Sequence, residues 1–244
     1  MNIIFPVAGF GERFKKQGFS VPKPLVKVKN KCLIEYAVES LNLEGHYFFV
    51  TRQLSEEHND QLKKIFDKLK IKYTHIKIDF ATKGAAETAL IAARQIKNLD
   101  EQLIITNCDQ YTPWNSNKFL KYIEDTDYDA VVTLYDHKDV ILNEKSKYSF
   151  VQMDENNQYA IKFAEKFAIS YNSLNGIHYW KNVKDFIKST TDLLETQINS
   201  EYYISLTFNK LIENRKKIGV YKMAQNEFFS LGSPEEIEIN LQHI

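Results

Sequence analysis

A chain of 244 residues in which 32 cations balance 32 anions has no overall field for collecting nucleic acid or an anionic membrane, so any affinity for phosphate has to be local. Apolar residues at 43% and charged residues at 26% describe an ordinary globular chain. It is long enough to bury roughly 70–75% of its unfolded surface without staples.

Asn2 to Val7 is a short apolar run that stops at Gly9, the pattern of a central strand. Residues 31–41 follow as a helix, 47–50 as a strand, and 55–70 as an amphipathic helix with Leu62, Ile65, Phe66 and Leu69 at helical spacing. KIDF at 77–80 is the next expected strand, then an alanine-rich helix at 84–96, a buried strand at 102–106, a helix at 118–125 and a strand at 130–134. Strands with no polar face, alternating with helices, predict an α/β fold whose mostly parallel central sheet is flanked by helices, Rossmann-like in outline. The pattern then changes. Residues 148–166 predict a β-hairpin around a polar turn, within a 135–180 insertion. A returning strand at 173–180, helices at 182–189 and 202–214, a strand at 219–224 and a short helix at 233–241 complete one domain over 1–244.

Two cysteines make neither a disulfide framework nor a zinc cluster. Cys32 is expected half-buried on a helix, and Cys108 packed at a strand end. None of the six histidines has a metal-site spacing, so each is assigned to packing. No run approaches the ~18 apolar residues of a membrane span and the start has no signal-like pattern, so a cytoplasmic location with no nucleic-acid or membrane partner is expected.

The segment FPVAGFGERFKKQGFSVPKPLV, residues 5–26, holds three of the eight glycines and three of the five prolines. Gly9 and Gly11, following Ala8 at the carboxyl edge of a parallel sheet, allow a tight turn whose amides can approach phosphate. Two glycines alone describe a structural turn equally well. A Walker loop is absent, and Phe14 replaces the third glycine of the dinucleotide fingerprint. The cations add more: Arg13 follows the turn, and Lys23 lies between Pro22 and Pro24, which restrict its backbone. A restrained lysine suits a phosphate at a defined point, because preorganised charge needs little rearrangement during reaction.

Gly9, Gly11, Arg13 and Pro22-Lys23-Pro24-Leu25 together resemble the signature of the sugar-nucleotide pyrophosphorylases, nucleotidyltransferases that join a nucleoside triphosphate to a phosphorylated small molecule and release pyrophosphate. The resemblance continues to about Glu236. It implies the nucleotide-diphospho-sugar transferase fold, Mg²⁺ as cofactor, and a nucleoside triphosphate and small phosphorylated acceptor as partners, with a homodimer as the expected assembly. Ala8, Gly9 and Gly11 would fold over the triphosphate, Arg13 would meet the pyrophosphate, and Lys23 the α-phosphate. Gly84, Ala85, Ala86, Glu87 and Thr88 correspond to the element that recognises the base, though from residues alone they equally describe a tightly packed helix start. Asp109, just past an apolar strand, corresponds to the Mg²⁺ ligand; it could otherwise cap the following turn. Glu165 and Lys166, expected on opposite faces of a strand, and Asn175 with Gly176 correspond to acceptor contacts.

The pattern departs at the end of the chain. Relatives carry W-x-D-x-G-T there, whose Asp completes the metal site; here FFSLGS places Ser230 at that position and keeps Gly232. The second metal contact is thereby left to phosphates, water or another acid. A short form with a PVAG start resembles the cytidylyltransferases of capsule and cell-surface pathways more than the thymidylyl type, which implies CTP and, in capsule modification, L-glutamine phosphate as acceptor. The length also implies no left-handed β-helix domain. Three other readings stay open: a nucleotidyltransferase of the same fold acting on a sugar 1-phosphate or phosphocholine, a glycosyltransferase, although Asn107 breaks the D-x-D of that class, and a nucleotide-sensing domain that has lost its metal site.

Overall fold

The computed structural model describes residues 1–196 and 201–244. In chain order its elements begin with β1 (Asn2–Pro6), α1 (Glu12–Lys15), β2 (Lys27–Val28), β3 (Lys31–Cys32), α2 (Leu33–Leu41) and β4 (His46–Arg52). Next come α3 (Glu56–Leu69), β5 (Lys72–Ile78), α4 (Ala85–Ala93), β6 (Leu103–Thr106), β7 (Gln110–Tyr111), α5 (Ser116–Asp125) and β8 (Ala130–Asp136). The remainder is β9 (Lys145–Met153), β10 (Ala160–Phe167), β11 (Asn172–Trp180), α6 (Val183–Thr196), α7 (Ile204–Glu213), β12 (Ile218–Lys222), β13 (Phe229–Ser230) and α8 (Pro234–Asn240). Nine strands share one sheet. β1 lies between β4 and β6 with both neighbours parallel, and β5 extends the β4 side. β11 runs antiparallel to β6 and to β8, and β8 is parallel to β12. The architecture is therefore an α/β fold with a mostly parallel sheet flanked by helices.

The register explains the apolar runs. Successive residues of a strand face opposite sides. Ile3 and Phe5 join the layer under α2, α3 and α5 with Phe49, Phe66 and Phe119, while Ile4 joins Val50, Ile105, Trp180 and Phe208 on the other side. Both faces are covered, so neither can be polar. Edge strand β5 shows the converse. It runs from Lys72 to Ile78, starting five residues before the expected strand and stopping two short of its end, because its first four side chains are exposed or half exposed and only Ile76 and Ile78 are buried. His75 on this edge bonds Thr51 of β4, and His46 of β4 bonds Thr74, both at 2.8 Å, which accounts for them as cross-strand packing groups.

The 148–166 hairpin forms as β9 and β10. Its turn is closed by Asp154, whose Oδ1 accepts from the amides of Gln158 and Tyr159 at 2.6 and 2.8 Å. Among the described residues no helix is long and apolar enough to cross a membrane.

A third, smaller core anchors the glycine- and proline-rich segment. Phe14 of α1, Val26 and Val28 pack on Leu33 and Tyr36 of α2 and on Leu231. The α2 start is fixed by Glu35, whose carboxylate accepts from the Cys32 amide at 2.7 Å and from Lys68 Nζ at 2.8 Å. Cys32 is fully buried just ahead of this helix, a correction to the half-buried helical position expected, because its amide and thiol close the capping turn. Burial pushes the Glu35 carboxyl up, but the amide and the lysine outweigh it and hold it below its ordinary value. Its stability contribution is therefore present above the unfolded carboxyl pKa near ~4.3 and is lost as pH falls. Glu35→Gln should cost about 1–2 kcal/mol in urea denaturation near neutral pH, and the difference from wild type should shrink on acidification. A pH-independent difference would assign the loss to packing alone.

Candidate active site

The chain builds outward from β1 to β4 and β5, then crosses back over β1 to β6. The carboxyl ends of β1 and β6 thus flank the point where the winding reverses, where open α/β sheets bind ligands. A cleft of about 440 Å³ opens there, reached by Gly9, Arg13 and Lys23 from one side and by β9, β10 and the start of α7 from the other.

At its base Lys23 Nζ is bonded to Asp109 Oδ2. Lys23 stands at the head of a single 3₁₀ turn, Lys23–Leu25, closed by the Val26 amide on its carbonyl, with Pro24 and Leu25 buried behind it. Asp109 follows β6 by three residues and precedes β7. Burial works against the charge of each, and the partner outweighs it: Lys23 is held above the ordinary lysine value, and Asp109 below the usual carboxylate range with help from Arg13. Both are thus charged at neutral pH.

The glycine turn is braced from behind. Arg52 of β4 donates to the Ala8 carbonyl at 3.1 Å and lays its guanidinium 3.8 Å from the centre of the exposed Phe10 ring. Gly11 opens α1, and from that helix Arg13 reaches toward Glu236 at 4.0 Å. Cys108 is buried beside Asp109, and burial, with that carboxylate, pushes its thiol up to about 12, so it packs as a neutral group.

The Gly84–Thr88 element is more structural than its motif suggests. Of its five residues Ala85 lines the cleft. Ala86 and Thr88 are buried in the core, with Thr88 bonded to Thr82 and to the Gly84 carbonyl, and Glu87 accepts from the Lys83 amide at 2.5 Å. The Ala86 amide, which a helix start would offer to a phosphate, donates to the Tyr202 carbonyl at 3.0 Å.

On the opposite wall Glu165 accepts from Ser149 Oγ at 2.5 Å and Ser205 Oγ at 2.7 Å, and burial pushes its carboxyl up against those hydroxyls. Lys166 bonds the Tyr203 hydroxyl and pairs with Glu201 at 3.3 Å. The two were expected on opposite faces, yet both line the cleft. A register shift between Glu165 and Phe167, with Lys166 at φ 57°, breaks the alternation there. Gly176 sits in a second irregularity of β11, where a Cβ would fall 2.1 Å from the Asn107 amide nitrogen. Asn175 is buried and its carbonyl oxygen accepts from Thr133, so its polar end is already engaged within the fold.

Ser230 is placed by β13, which pairs antiparallel with β7 so that Ser230 lies opposite Gln110, next to Asp109. Its hydroxyl donates at 2.8 Å to Glu236 Oε2. Glu236 also accepts from Lys147 of β9 at 2.8 Å. Burial raises its carboxyl, and Lys147, Ser230 and Arg13 hold it below the ordinary value. A Cβ on Gly232 would lie 2.9 Å from Asp109 Oδ2, 3.0 Å from Glu236 Oε2 and 3.3 Å from Arg13 Nη2. Two carboxylates thus close on one small space, an all-oxygen donor set that fits a hard ion such as Mg²⁺. Among the described residues no three His, Cys, Asp or Glu side chains gather as a larger metal cluster would.

Lys147, Glu201, Tyr203 and Glu236 carry no sequence signal of their own. Lys147 resembles any strand lysine, and an acid in the first turn of α8 is what the helix dipole favours anyway.

Known proteins extend the picture. The chain is similar to mannose-1-phosphate guanylyltransferase 1 of Arabidopsis thaliana, 26% identical over 97% of this chain and 62% of that protein. It is similar also to the mannose-1-phosphate guanylyltransferase catalytic subunit beta of Dictyostelium discoideum, 27% identical over 68% of this chain and 45% of that protein. It therefore spans about half to three-fifths of the length of these curated relatives. Among solved structures it is similar to the nucleoside-diphosphate-sugar pyrophosphorylase of Vibrio cholerae RC9, with a TM-score of 0.79, 18% identity, and 98% and 99% of the two chains covered. The inositol-1-phosphate CTP transferase of T. maritima gives a TM-score of 0.77 at 15% identity over 99% and 93%. At those identities the likeness establishes the fold. A match over residues 2–237 takes in the glycine turn, Lys23, Asp109 and Glu236 together, and the chain belongs to the Nucleotidyl transferase family.

Proposed function

We propose that this chain joins a nucleoside triphosphate, with CTP favoured, to a small phosphomonoester and releases pyrophosphate. The observation that carries the reading is Lys23, restrained between prolines and paired with Asp109 at the floor of the cleft. An acceptor phosphate oxygen attacks the α-phosphorus in line, the bond to the bridging oxygen breaks, and pyrophosphate departs with that electron pair. The attacking oxygen is already ionised, so the protein's tasks are positioning and charge neutralisation. Lys23 passes from Asp109 to the α-phosphate as the nucleotide enters, and Arg13 faces the departing pyrophosphate. Asp109, released from the lysine, is the residue that would hold Mg²⁺, whose charge offsets that of the triphosphate. Ala8, Gly9 and Gly11 lie over the phosphates, and the Gly84–Thr88 helix start lies beside the base with Ala85 toward the ligand. Glu165, Lys166, Asn175 and Gly176 form the acceptor wall.

CTP and L-glutamine phosphate are the substrates favoured by the resemblance of the PVAG-type short form to capsule-modifying cytidylyltransferases, and a CTP transferase of the same fold supports the nucleotide. A second reading has its own support: the curated relatives are named for mannose-1-phosphate, so a sugar 1-phosphate with GTP is the main competitor. Pyrophosphate release from CTP, GTP, UTP, dTTP and ATP, each with L-glutamine phosphate, phosphocholine or mannose 1-phosphate and Mg²⁺, decides between them. Release is expected with CTP and one acceptor; release with no pair, despite nucleotide binding, contradicts the reading.

A further inference from the structure

The carboxylate missing at position 230 has a counterpart elsewhere in this chain. Ser230 cannot supply a charge, but its hydroxyl donates to Glu236 Oε2 at 2.8 Å and turns that side chain back over Gly232. The neighbouring Glu235 shows what the first turn of this helix would do unaided: it is exposed and bonds the exposed Gln17. Glu236 instead has a side chain only 12% exposed, and a Cβ on Gly232 would meet both its Oε2, at 3.0 Å, and Asp109 Oδ2, at 2.9 Å. Dipole stabilisation of a helix start accounts for Glu235, whereas Glu236 is drawn inward by Ser230 on Oε2 and by Lys147, which donates to Oε1 at 2.8 Å.

We propose that Glu236 supplies the carboxylate that Ser230 lacks, so that the divalent-ion site of this chain is Asp109 with Glu236, and Ser230 is a positioning residue for Glu236. The inference rests on reading the chain as an ion-dependent nucleotidyltransferase. It assigns the second ligand to α8, six residues after the position where the resemblance places it.

Mn²⁺ is the probe, titrated into the full chain, alone and with CTP, and followed by the electron paramagnetic resonance of the free ion. Glu236→Gln should weaken Mn²⁺ binding at least about tenfold, as should Asp109→Asn. Ser230→Asp introduced into Glu236→Gln should restore most of the affinity, a recovery that a merely structural role for Glu236 would not produce. Circular dichroism and thermal melting confirm that each variant is folded. Wild-type Mn²⁺ affinity in Glu236→Gln, failure of the double variant to recover, or absence of Mn²⁺ binding by the wild type overturns the inference. Pyrophosphate release by the same wild-type preparation separates the two failures. Release together with an unaffected Glu236→Gln refutes Glu236 alone, whereas no release with any substrate pair refutes the reading on which it rests.

Discussion

Lys23→Ala is expected to lower kcat for pyrophosphate release by about 10²–10³-fold, the loss typical of removing one preorganised charge from a developing anion. The same substitution leaves Asp109 buried without its counterion. Orphaning a largely buried charge costs about 2 kcal/mol here, because both side chains keep some solvent, which corresponds to roughly 4–8 °C in melting temperature for a chain of this size. The two effects separate on ligand addition. On the proposed reading a nucleoside triphosphate should replace Asp109 as the partner of Lys23 in wild type, so that ligand raises the melting temperature more in wild type than in Lys23→Ala. Lys23→Arg should recover melting temperature more than rate, since a guanidinium can satisfy the carboxylate but does not place a point charge at the same position. Near-wild-type turnover by Lys23→Ala would show that the pair is structural.

Gly84→Ala is expected to be strongly destabilising, although it adds a single methyl just behind the cleft wall. Gly84 has φ 153°, outside the range that side-chain-bearing residues ordinarily adopt, and a Cβ there would lie 2.4–2.8 Å from three backbone atoms of Tyr202. Backbone cannot rotate away as a side chain can. The contact is also where two strands of loop are stitched together: Tyr202 donates to the Lys83 carbonyl and accepts from the Ala86 amide. Forcing them apart should displace Tyr203, Ile204 and Ser205, which line the cleft. A loss of about 3 kcal/mol is expected from overpacking and backbone strain together, read as roughly 6–12 °C in thermal unfolding. A wild-type melting curve with weakened nucleotide binding would instead assign Gly84 to the ligand.

These two positions also show what a sequence can disclose. Lys23 was legible because its restraint is local: two prolines beside it limit the backbone whatever the rest of the chain does. The central strands were legible for a related reason, since a segment such as Asn2–Val7 with no polar face can lie only inside a covered sheet. Gly84 carried a clear signal of close approach but no indication of what approaches, because Tyr202 is 118 residues distant in sequence. Edge strand β5 is displaced in the sequence reading, which misses Lys72 to Ile76 and overruns to the exposed Phe80, as its half-exposed first residues carry no burial pattern. Lys166 defeated simple alternation through a bulge that its own sequence does not announce. Glu236 and Lys147 acquire meaning only when β13 is paired against β7 and α8 is set over β9, a long-range event. What escaped the sequence is thus mainly the ring of charges assembled by tertiary contact, while the elements that carry it were largely apparent.

On the proposed reading this cleft moves a nucleotidyl group and splits the triphosphate between its α- and β-phosphorus atoms. The most direct test follows label placed separately in the α- and γ-phosphates of CTP, with the acceptor that responds in the release assay. The α-label should pass into the acceptor product and the γ-label into pyrophosphate, in equal amounts. An α-label recovered as free nucleotide with none joined to the acceptor, or a γ-label released as orthophosphate, would contradict the claim.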